Sequence, residues 1–214
     1  MIHNDWHKWE KDYEKAWTYY KDYGLTWDLA LYDLCKKYPG HSRKSDIAPK
    51  IGLIGRSYQS GLERHSKKGI DGIVDFIFIN KKSIDEVFDK LRKIREPLTQ
   101  EKLIEIVALH GRLVKILKRL TRERAAIRSF ASKYMHFHCS AVPVFDNIAA
   151  GVISQRDWYP LTNPKIEKFP MPSDADEIYY GYCVRFFALY KDLTKANFKV
   201  GVKRLDHYLI WCNE

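Results

Sequence analysis

Three features of the sequence predict an all-α fold. Apolar residues recur at spacings of three and four through nearly the whole chain, which is the period of a helix with one buried face. Capping and turn residues separate these segments, among them Asp5, Pro39-Gly40 and Thr99. The chain has 214 residues, 45% of them hydrophobic and 14% aromatic, so a sizeable core is available. We therefore predict one helical domain over residues 1–214, or two small lobes sharing a core, with about ten helices.

The first half of the chain contains four predicted helices and one ambiguous segment. Residues 5–22 place apolar side chains on one helical face, with Asp5 as N-cap, and residues 25–37 form a second amphipathic helix. A polar loop over 41–46 precedes a third helix over 47–64, which contains three glycines. Residues 83–94 are predicted to be helical, with Ser83 and Glu86 as a capping box. The β-branched and aromatic residues of 70–79 suit a buried strand as well as a helix.

The second half is predicted to be helical apart from one extended loop. A long basic helix begins at Thr99 and continues to about residue 120. Residues 158–174 contain four prolines and are predicted to form a loop. The aromatic helix over 177–193 is expected mainly in the core, with one or two rings left to stack on bases. Residues 200–211 form the last predicted helix.

The charge of the chain favours a polyanionic partner. The formal net charge is +10 and the pI is near 9.3. A protein this basic usually binds a polyanion, most often nucleic acid, although a basic surface can also serve solubility alone. Basic residues are densest before residue 129, where Glu123 is the single acid among seven cations: Arg112, Lys115, Lys118, Arg119, Arg122, Arg124 and Arg128.

The cysteines and the hydropathy predict a location in the cell. Four cysteines lie far apart and form no C-x-x-C pair, and no secretory leader is recognisable, so we expect free thiols in a reducing compartment. No apolar run approaches the roughly 18 residues that a membrane span needs. We predict a monomeric cytoplasmic protein, associated with the nucleoid of a bacterium or archaeon, that does not bind membranes.

Residues 128–150 carry the strongest functional signal. Lys133 stands at the predicted start of an apolar helix, and Asp146 follows the apolar run 142–145. A carboxylate can stabilise the oxocarbenium-like transition state formed when a base leaves its sugar. A lysine amine can attack the sugar carbon and form a Schiff base. An amine, a carboxylate and a basic approach in one window therefore suggest excision of a base from DNA, after the base has been flipped into a pocket.

This window resembles the catalytic segment of the helix-hairpin-helix (HhH-GPD) DNA glycosylases, the superfamily of endonuclease III and 8-oxoguanine glycosylase. In that family a hairpin precedes a catalytic lysine at the start of a helix, and an apolar run with a proline introduces an essential aspartate. Lys133 matches the lysine, and the run 142–145 with Asp146 matches the rest. The resemblance implies a two-lobed helical fold, double-stranded DNA with a damaged or modified base as partner, and no cofactor.

The chain departs from the family pattern at the hairpin. Residues 127–132 contain no glycine, and Lys133 precedes Asp146 by only thirteen residues, fewer than in the best-known members. No four-cysteine cluster follows, so an iron–sulfur centre is not expected. We assign the phosphate-binding role to the nearby basic and hydroxyl side chains of Arg119, Arg122, Arg124, Arg128 and Ser132.

Two further groups are candidates for a base pocket. Arg56, Gln59 and Glu63 recur at helical spacing around Tyr58, and this polar face is expected to contact a flipped base or to form a buried ion pair. His136 and His138 are expected to lie near the lysine and to orient substrate.

Other interpretations of the same residues stay open. Lys133 can be an ordinary solvated lysine and Asp146 only an N-cap. A metal site at His136 and Cys139 lacks further ligands, so no metal is predicted. We predict a DNA N-glycosylase of base repair or anti-phage defence, with abasic-site lyase activity if Lys133 attacks the sugar. The alternatives are a non-catalytic DNA- or RNA-binding module and a metal-dependent nuclease using Asp71 or Asp75.

Overall fold

The computed structural model describes residues 6–58, 60–155 and 168–212, and within these ranges every regular element is a helix. The all-α prediction is confirmed. The described ranges contain eleven helices: α1 (Trp6–Tyr23), α2 (Leu25–Lys37), α3 (Lys44–Tyr58), α4 (Leu62–His65), α5 (Gly69–Ile79), α6 (Lys81–Leu91), α7 (Gln100–Leu117), α8 (Arg124–His138), α9 (Asn147–Ser154), α10 (Glu177–Lys195) and α11 (Val202–Trp211). The predicted N-cap Asp5 and most of the predicted loop 158–174 lie outside the described residues.

The ambiguous segment is the helix α5. Ile73, Val74 and Ile77 are buried at helical spacing, and α5 packs against α3. Ile70 and Ile79 lie on the outside and are exposed. The segment is a helix despite its β-branched residues, because α3 packs on one of its faces and the buried side chains recur with the period of a helix.

The predicted helix over 47–64 is interrupted. Helix α3 ends at Tyr58, and Gly61 is the N-cap of the next helix, with φ +74° in the left-handed region that glycine takes without strain. The short helix α4 begins immediately after it. Arg56 and Glu63 therefore lie on different helices and do not form one continuous polar face.

One predicted cap is confirmed and one is wrong. The Thr99 hydroxyl accepts a hydrogen bond from the Lys102 backbone amide at the start of α7. The capping box at Ser83 and Glu86 does not form, because α6 begins at Lys81 and leaves Ser83 inside its first turn. Asn80 precedes α6, and its side-chain amide donates to the carbonyl of Phe76 at 2.8 Å, so it closes α5 instead.

Helix α8 runs through the centre of the fold. It contacts α2, α3, α4, α6 and α7, and from Ile127 to Phe137 every residue but Ser129 is buried. A helix covered on all sides must find a partner for each of its polar side chains. Helix α9 packs on α10 and α11, and α11 packs on α1. Two polar side chains of α8, Ser132 and His136, find their partners in the backbone of the loop between α8 and α9.

The aromatic helix α10 belongs to the core, as expected. Five of its rings are at most 7% exposed: Tyr179, Tyr182, Phe186, Phe187 and Tyr190. The cysteines are confirmed as thiols, since none of the four, all within the described ranges, forms a disulfide. No helix in the described part of the chain has the length and apolar character to cross a bilayer.

Candidate functional site

Lys133 lies in the third turn of α8. The helix begins at Arg124, so the expectation that Lys133 opens a helix is wrong. The side chain is 2% exposed, so it is not a solvated lysine either. Its Nζ donates to Asp146 Oδ2 at 3.0 Å and to the backbone carbonyl of Tyr58 at 2.8 Å. The structure therefore brings Lys133 and Asp146 into direct contact.

The carbonyl of Tyr58 is a suitable second acceptor for the amine. Tyr58 is the last residue of α3, where backbone carbonyls have no partner within the helix. The same end of a helix carries partial negative charge, which attracts a cation. The Lys133 ammonium therefore lies between a carboxylate and the negative end of α3, which explains how a buried lysine is accommodated.

Asp146 is fixed at both carboxylate oxygens and still reaches the surface. Oδ1 accepts from the backbone amide of Ile148 at 2.9 Å, so Asp146 is the N-cap of α9, as predicted. Oδ2 accepts from Lys133. The side chain is 26% exposed, whereas that of Lys133 is buried behind it. A molecule that approaches from solvent meets the carboxylate of Asp146 before the amine.

Three hydrogen bonds hold the loop that carries Asp146. Ser132 Oγ accepts from the backbone amide of Phe145 at 2.9 Å and donates to the carbonyl of Ser129 at 3.0 Å. The Tyr179 hydroxyl donates to the carbonyl of Pro143 at 2.8 Å. His136 Nδ1 donates to the carbonyl of Val142 at 2.7 Å, since a carbonyl can only accept. Ser132 is fully buried, so its predicted role in phosphate binding is corrected to one in loop positioning.

Arg128 also has a structural role. Its guanidinium donates to both carboxylate oxygens of Asp176, at 2.5 Å and 3.0 Å, and it is 6% exposed. It also lies 5.4 Å from the ring centre of Phe145. The phosphate role predicted for Arg128 is therefore corrected, because α10 supplies an acid that neutralises it. Arg128 instead fixes the N-terminus of α10, where Asp176 is the N-cap, against the loop before Asp146.

The other predicted phosphate-binding residues are exposed. Arg119 donates to Asn80 Oδ1 at 3.2 Å, and Arg122 and Arg124 have no acidic partner within the described residues. Arg124 precedes Arg128 by one helical turn and so shares its face of α8, next to the loop that Phe145 belongs to. We call the exposed cations Lys118, Arg119, Arg122 and Arg124 the basic ridge.

The predicted base pocket is not assembled as expected. Arg56 is exposed, the carboxylate of Glu63 lies beside Gly55, and Gln59 falls outside the described residues. Tyr58 contacts Lys133 through its backbone, while its hydroxyl donates to Asp28 and accepts from Lys203. Of the four predicted residues on this segment, only Tyr58 is shown in contact with Lys133.

The two histidines have other partners or none. His136 is fully buried, and its Nε2 accepts from the Tyr32 hydroxyl at 2.5 Å. Burial lowers the pKa of His136 to about 3, so it stays neutral. His138 lies against Phe88, with ring centres 4.5 Å apart, and burial lowers its pKa well below the usual value. Neither ring nitrogen of His138 has a hydrogen-bond partner among the described residues. His136 is therefore a core residue of α8, while His138 packs against the core at the end of the helix with both ring nitrogens shielded.

A second buried ion cluster was missed by the sequence analysis. Lys203 Nζ lies 2.9 Å from Asp28 Oδ2, 3.7 Å from Asp206 Oδ2 and 2.8 Å from the Tyr58 hydroxyl. Asp206 is fully buried, and burial raises its pKa to about 7. The signal was present in the spacing, because each acid lies on the apolar stripe of its helix: Asp28 with Leu31 in α2, and Asp206 with Leu209 in α11.

The described residues contain no group of three or more His, Cys, Asp or Glu side chains placed to hold a metal ion. His136 has partners at both nitrogens, and the Cys139 thiol donates to the carbonyl of Ile94. Asp75, on α5, forms an ion pair with Lys44 at 2.6 Å, and Asp71 is exposed on the same helix. The strand that a nuclease interpretation of this segment required is therefore a helix.

Comparison of the chain with protein-family models, with curated proteins and with solved structures gives no match. We therefore infer the function from the geometry of the Lys133–Asp146 pair and of its surroundings.

Proposed function

We propose that the protein is a DNA N-glycosylase that excises a damaged or modified base from double-stranded DNA. The observation that carries the proposal is the Asp146 carboxylate, which is fixed at both oxygens, paired with a buried lysine and partly open to solvent. The two-lobed arrangement implied by the family resemblance, a monomeric state, a cytoplasmic location and action without a cofactor belong to this proposal.

Asp146 suits the chemistry of base excision. Departure of a base leaves positive charge on the sugar, and a preorganised carboxylate stabilises that charge without reorganising. The cap on α9 and the bond to Lys133 hold the carboxylate in one orientation. Asp146 would also orient or deprotonate the water that attacks the sugar carbon. The carboxylate is therefore the group that we place against the sugar.

Lys133 has the role of holding Asp146 in this arrangement. The amine donates to two acceptors and is 2% exposed, so attack on a sugar would require it to leave both. This favours hydrolysis as the main reaction. Abasic-site lyase activity would depend on a rearrangement that frees the amine and removes its proton.

The basic ridge suits the DNA backbone. Its four cations are exposed, and Arg124 lies on the α8 face next to the loop before Asp146. Arg112 and Lys115, by contrast, share Asp174 at 3.2 Å and 2.5 Å, which reduces their net charge toward DNA. Phosphates bound along the ridge would place the duplex close to Asp146.

A non-catalytic DNA-binding module is the second candidate. The full pairing and deep burial of Lys133 favour it, because a purely structural ion pair has the same features. On that interpretation the basic ridge binds phosphates, and the pair only fixes the start of α9.

Release of free bases distinguishes the two functions. We would incubate the protein, in chelator, with a panel of duplexes that carry damaged or naturally modified bases, and measure each free base. A glycosylase releases at least one base and leaves an abasic site, and Lys133→Met lowers the release. A parallel borohydride reaction with an abasic duplex traps the protein only if an amine forms a Schiff base. Salt-sensitive binding with no release from any duplex would contradict the proposal and support the binding module.

A further inference from the structure

Tyr58 is held at both its ends, by different parts of the fold. Its hydroxyl donates to Asp28 on α2 and accepts from Lys203 on α11, with Lys203 Nζ at 2.8 Å. Its backbone carbonyl accepts from Lys133 Nζ at 2.8 Å. Its ring also packs edge-to-face on Phe137 of α8, with ring centres 5.2 Å apart. Tyr58 thus connects the ion cluster of α2 and α11 with the amine of the candidate site.

Lys203 is the cation that organises this cluster. Its side chain is 11% exposed, and its Nζ lies between the carboxylates of Asp28 and Asp206. A buried carboxylate is costly unless a cation or donors compensate it, so the two acids constrain the ammonium strongly. The Nζ also lies 4.8 Å from the centre of the Tyr58 ring, within the range of a cation–π contact. The side chain of Tyr58 is therefore held by both a hydrogen bond and its ring.

We propose that Lys203 and Tyr58 are positioning residues of the candidate site: Lys203 holds the Tyr58 side chain, and Tyr58 holds the Lys133 amine against Asp146. For its effect on catalysis this inference rests on the proposed function. Its geometric part, that the hydroxyl of Tyr58 keeps the Lys133 amine in place, can be measured without any substrate.

The physical reason is the direction of the Lys133 amine. The amine has two acceptors, Asp146 Oδ2 and the Tyr58 carbonyl at the end of α3. Because the carbonyl is held by a different part of the fold from Asp146, it sets the direction from which the amine approaches Asp146 Oδ2. Loss of the Tyr58 hydroxyl removes its bonds to Asp28 and Lys203 and leaves only the ring contacts of the side chain, so the carbonyl at the end of α3 is held less firmly. Outer-shell groups that orient metal-ligating side chains change activity by about 10–100-fold when removed, and we expect the same range for Tyr58.

Tyr58→Phe is the sharpest test, because it removes one hydroxyl and leaves the ring and the carbonyl. Asp28 and Lys203 remain paired with each other, so the buried charges stay compensated and the fold is expected to persist. Tyr182→Phe is the matched control. It removes a buried hydroxyl that has no hydrogen-bond partner among the described residues. Lys203→Met is measured as a third variant if its melting curve shows a folded protein.

Two readouts are followed: the hydrogen-exchange rate of the Lys133 ammonium by NMR of ¹⁵N-lysine-labelled protein, and the single-turnover rate of base release with the DNA dissociation constant. We expect Tyr58→Phe to speed ammonium exchange about tenfold, as for the loss of about one hydrogen bond. We expect it to slow base release about tenfold at unchanged DNA affinity, with Tyr182→Phe like wild type. Ammonium exchange in Tyr58→Phe equal to that in wild type would overturn the inference. If wild type releases no base and Tyr58→Phe still speeds exchange, the proposed function fails while the geometric inference stands.

Discussion

At the scale of single residues, burial decides which cations are available to an anionic partner such as the proposed DNA. Arg128 and Arg124 lie one turn apart on α8, yet the first is 6% exposed and paired with Asp176 while the second is exposed. The sequence pattern treats both as members of one basic run. Only the packing of α10 on this part of the fold distinguishes a structural arginine from one that can bind a phosphate.

Substitution of Arg128 should lower stability, whereas substitution of Arg124 should weaken DNA binding. Arg128→Met leaves the part-buried Asp176 carboxylate without its cation but still capped by the Tyr179 amide, so we expect the free energy of unfolding to fall by about 1–3 kcal/mol. Arg124→Met should change stability by less than about 0.5 kcal/mol but should weaken DNA binding and lower its salt dependence by about one phosphate contact. Urea unfolding and binding titrations at several salt concentrations check both. Equal stability of the two variants would contradict this assignment.

The buried acid Asp206 should make stability depend on pH. Burial raises its folded-state pKa to about 7, while in the unfolded chain it titrates near its ordinary value of 3.8. Between these values the folded protein keeps a proton that the unfolded chain releases, so the free energy of unfolding falls as pH rises through this window. Lys203, Lys133, Asp146 and Asp28 also act on this carboxyl.

Asp206→Asn tests that dependence. The amide cannot ionise, so the variant should lack the loss of stability between about pH 4 and pH 7. Relative to wild type it should gain up to roughly 4 kcal/mol at pH 8, since one unit of pKa corresponds to about 1.4 kcal/mol. Denaturant unfolding from pH 4 to pH 8 measures the difference, with Asp89→Asn as a control on an exposed acid. Parallel pH profiles of Asp206→Asn and wild type would show that the carboxyl titrates normally.

At the scale of helices, the hydrophobic period gave most boundaries, and local chemistry gave the rest. Helix α2 has the predicted bounds, and Thr99 and Asp146 cap α7 and α9 as predicted. The error at 47–64 arose because glycines within a helical pattern do not reveal which of them takes a positive φ. Only Gly61 of the three does so, at the N-cap of α4, and the end of α3 at Tyr58 leaves the carbonyl of that residue in reach of Lys133.

Two glycine substitutions distinguish a glycine that needs a positive φ from one that lies within a helix. Gly61→Ala forces a side chain into the left-handed conformation at φ +74°, so we expect a loss of about 1 kcal/mol or more. Gly52→Ala, within α3, adds a Cβ that meets no atom within 4 Å, so it should stabilise the protein by about 0.5–1 kcal/mol. Thermal melting of both variants measures the pair. A Gly61→Ala protein as stable as Gly52→Ala would contradict the left-handed conformation of Gly61.

At the scale of the whole molecule, the sequence predicted what short spacings encode. Lys133 and Asp146 were found because thirteen residues separate them, and the structure places their polar atoms 3.0 Å apart. Asp28 and Lys203 were missed because they approach the site from α2 and α11, which only the fold brings together. Ser132 was wrongly assigned to phosphate binding, because its sequence neighbours do not reveal that other helices cover α8 on every side and bury the hydroxyl.

The most direct measurement is single-turnover base release by Asp146→Asn, made beside a titration of the same protein with DNA. Asparagine is also a good N-cap, so the substitution keeps the start of α9 and removes the charge that we propose to act on the sugar. We predict a fall in the rate of at least about 100-fold at a DNA affinity close to that of wild type. The melting temperature should fall, because the buried Lys133 ammonium loses its counter-charge, so the rate is measured at a temperature at which the variant stays folded. Base release by Asp146→Asn at the wild-type rate would contradict the assignment of Asp146 as the catalytic carboxylate.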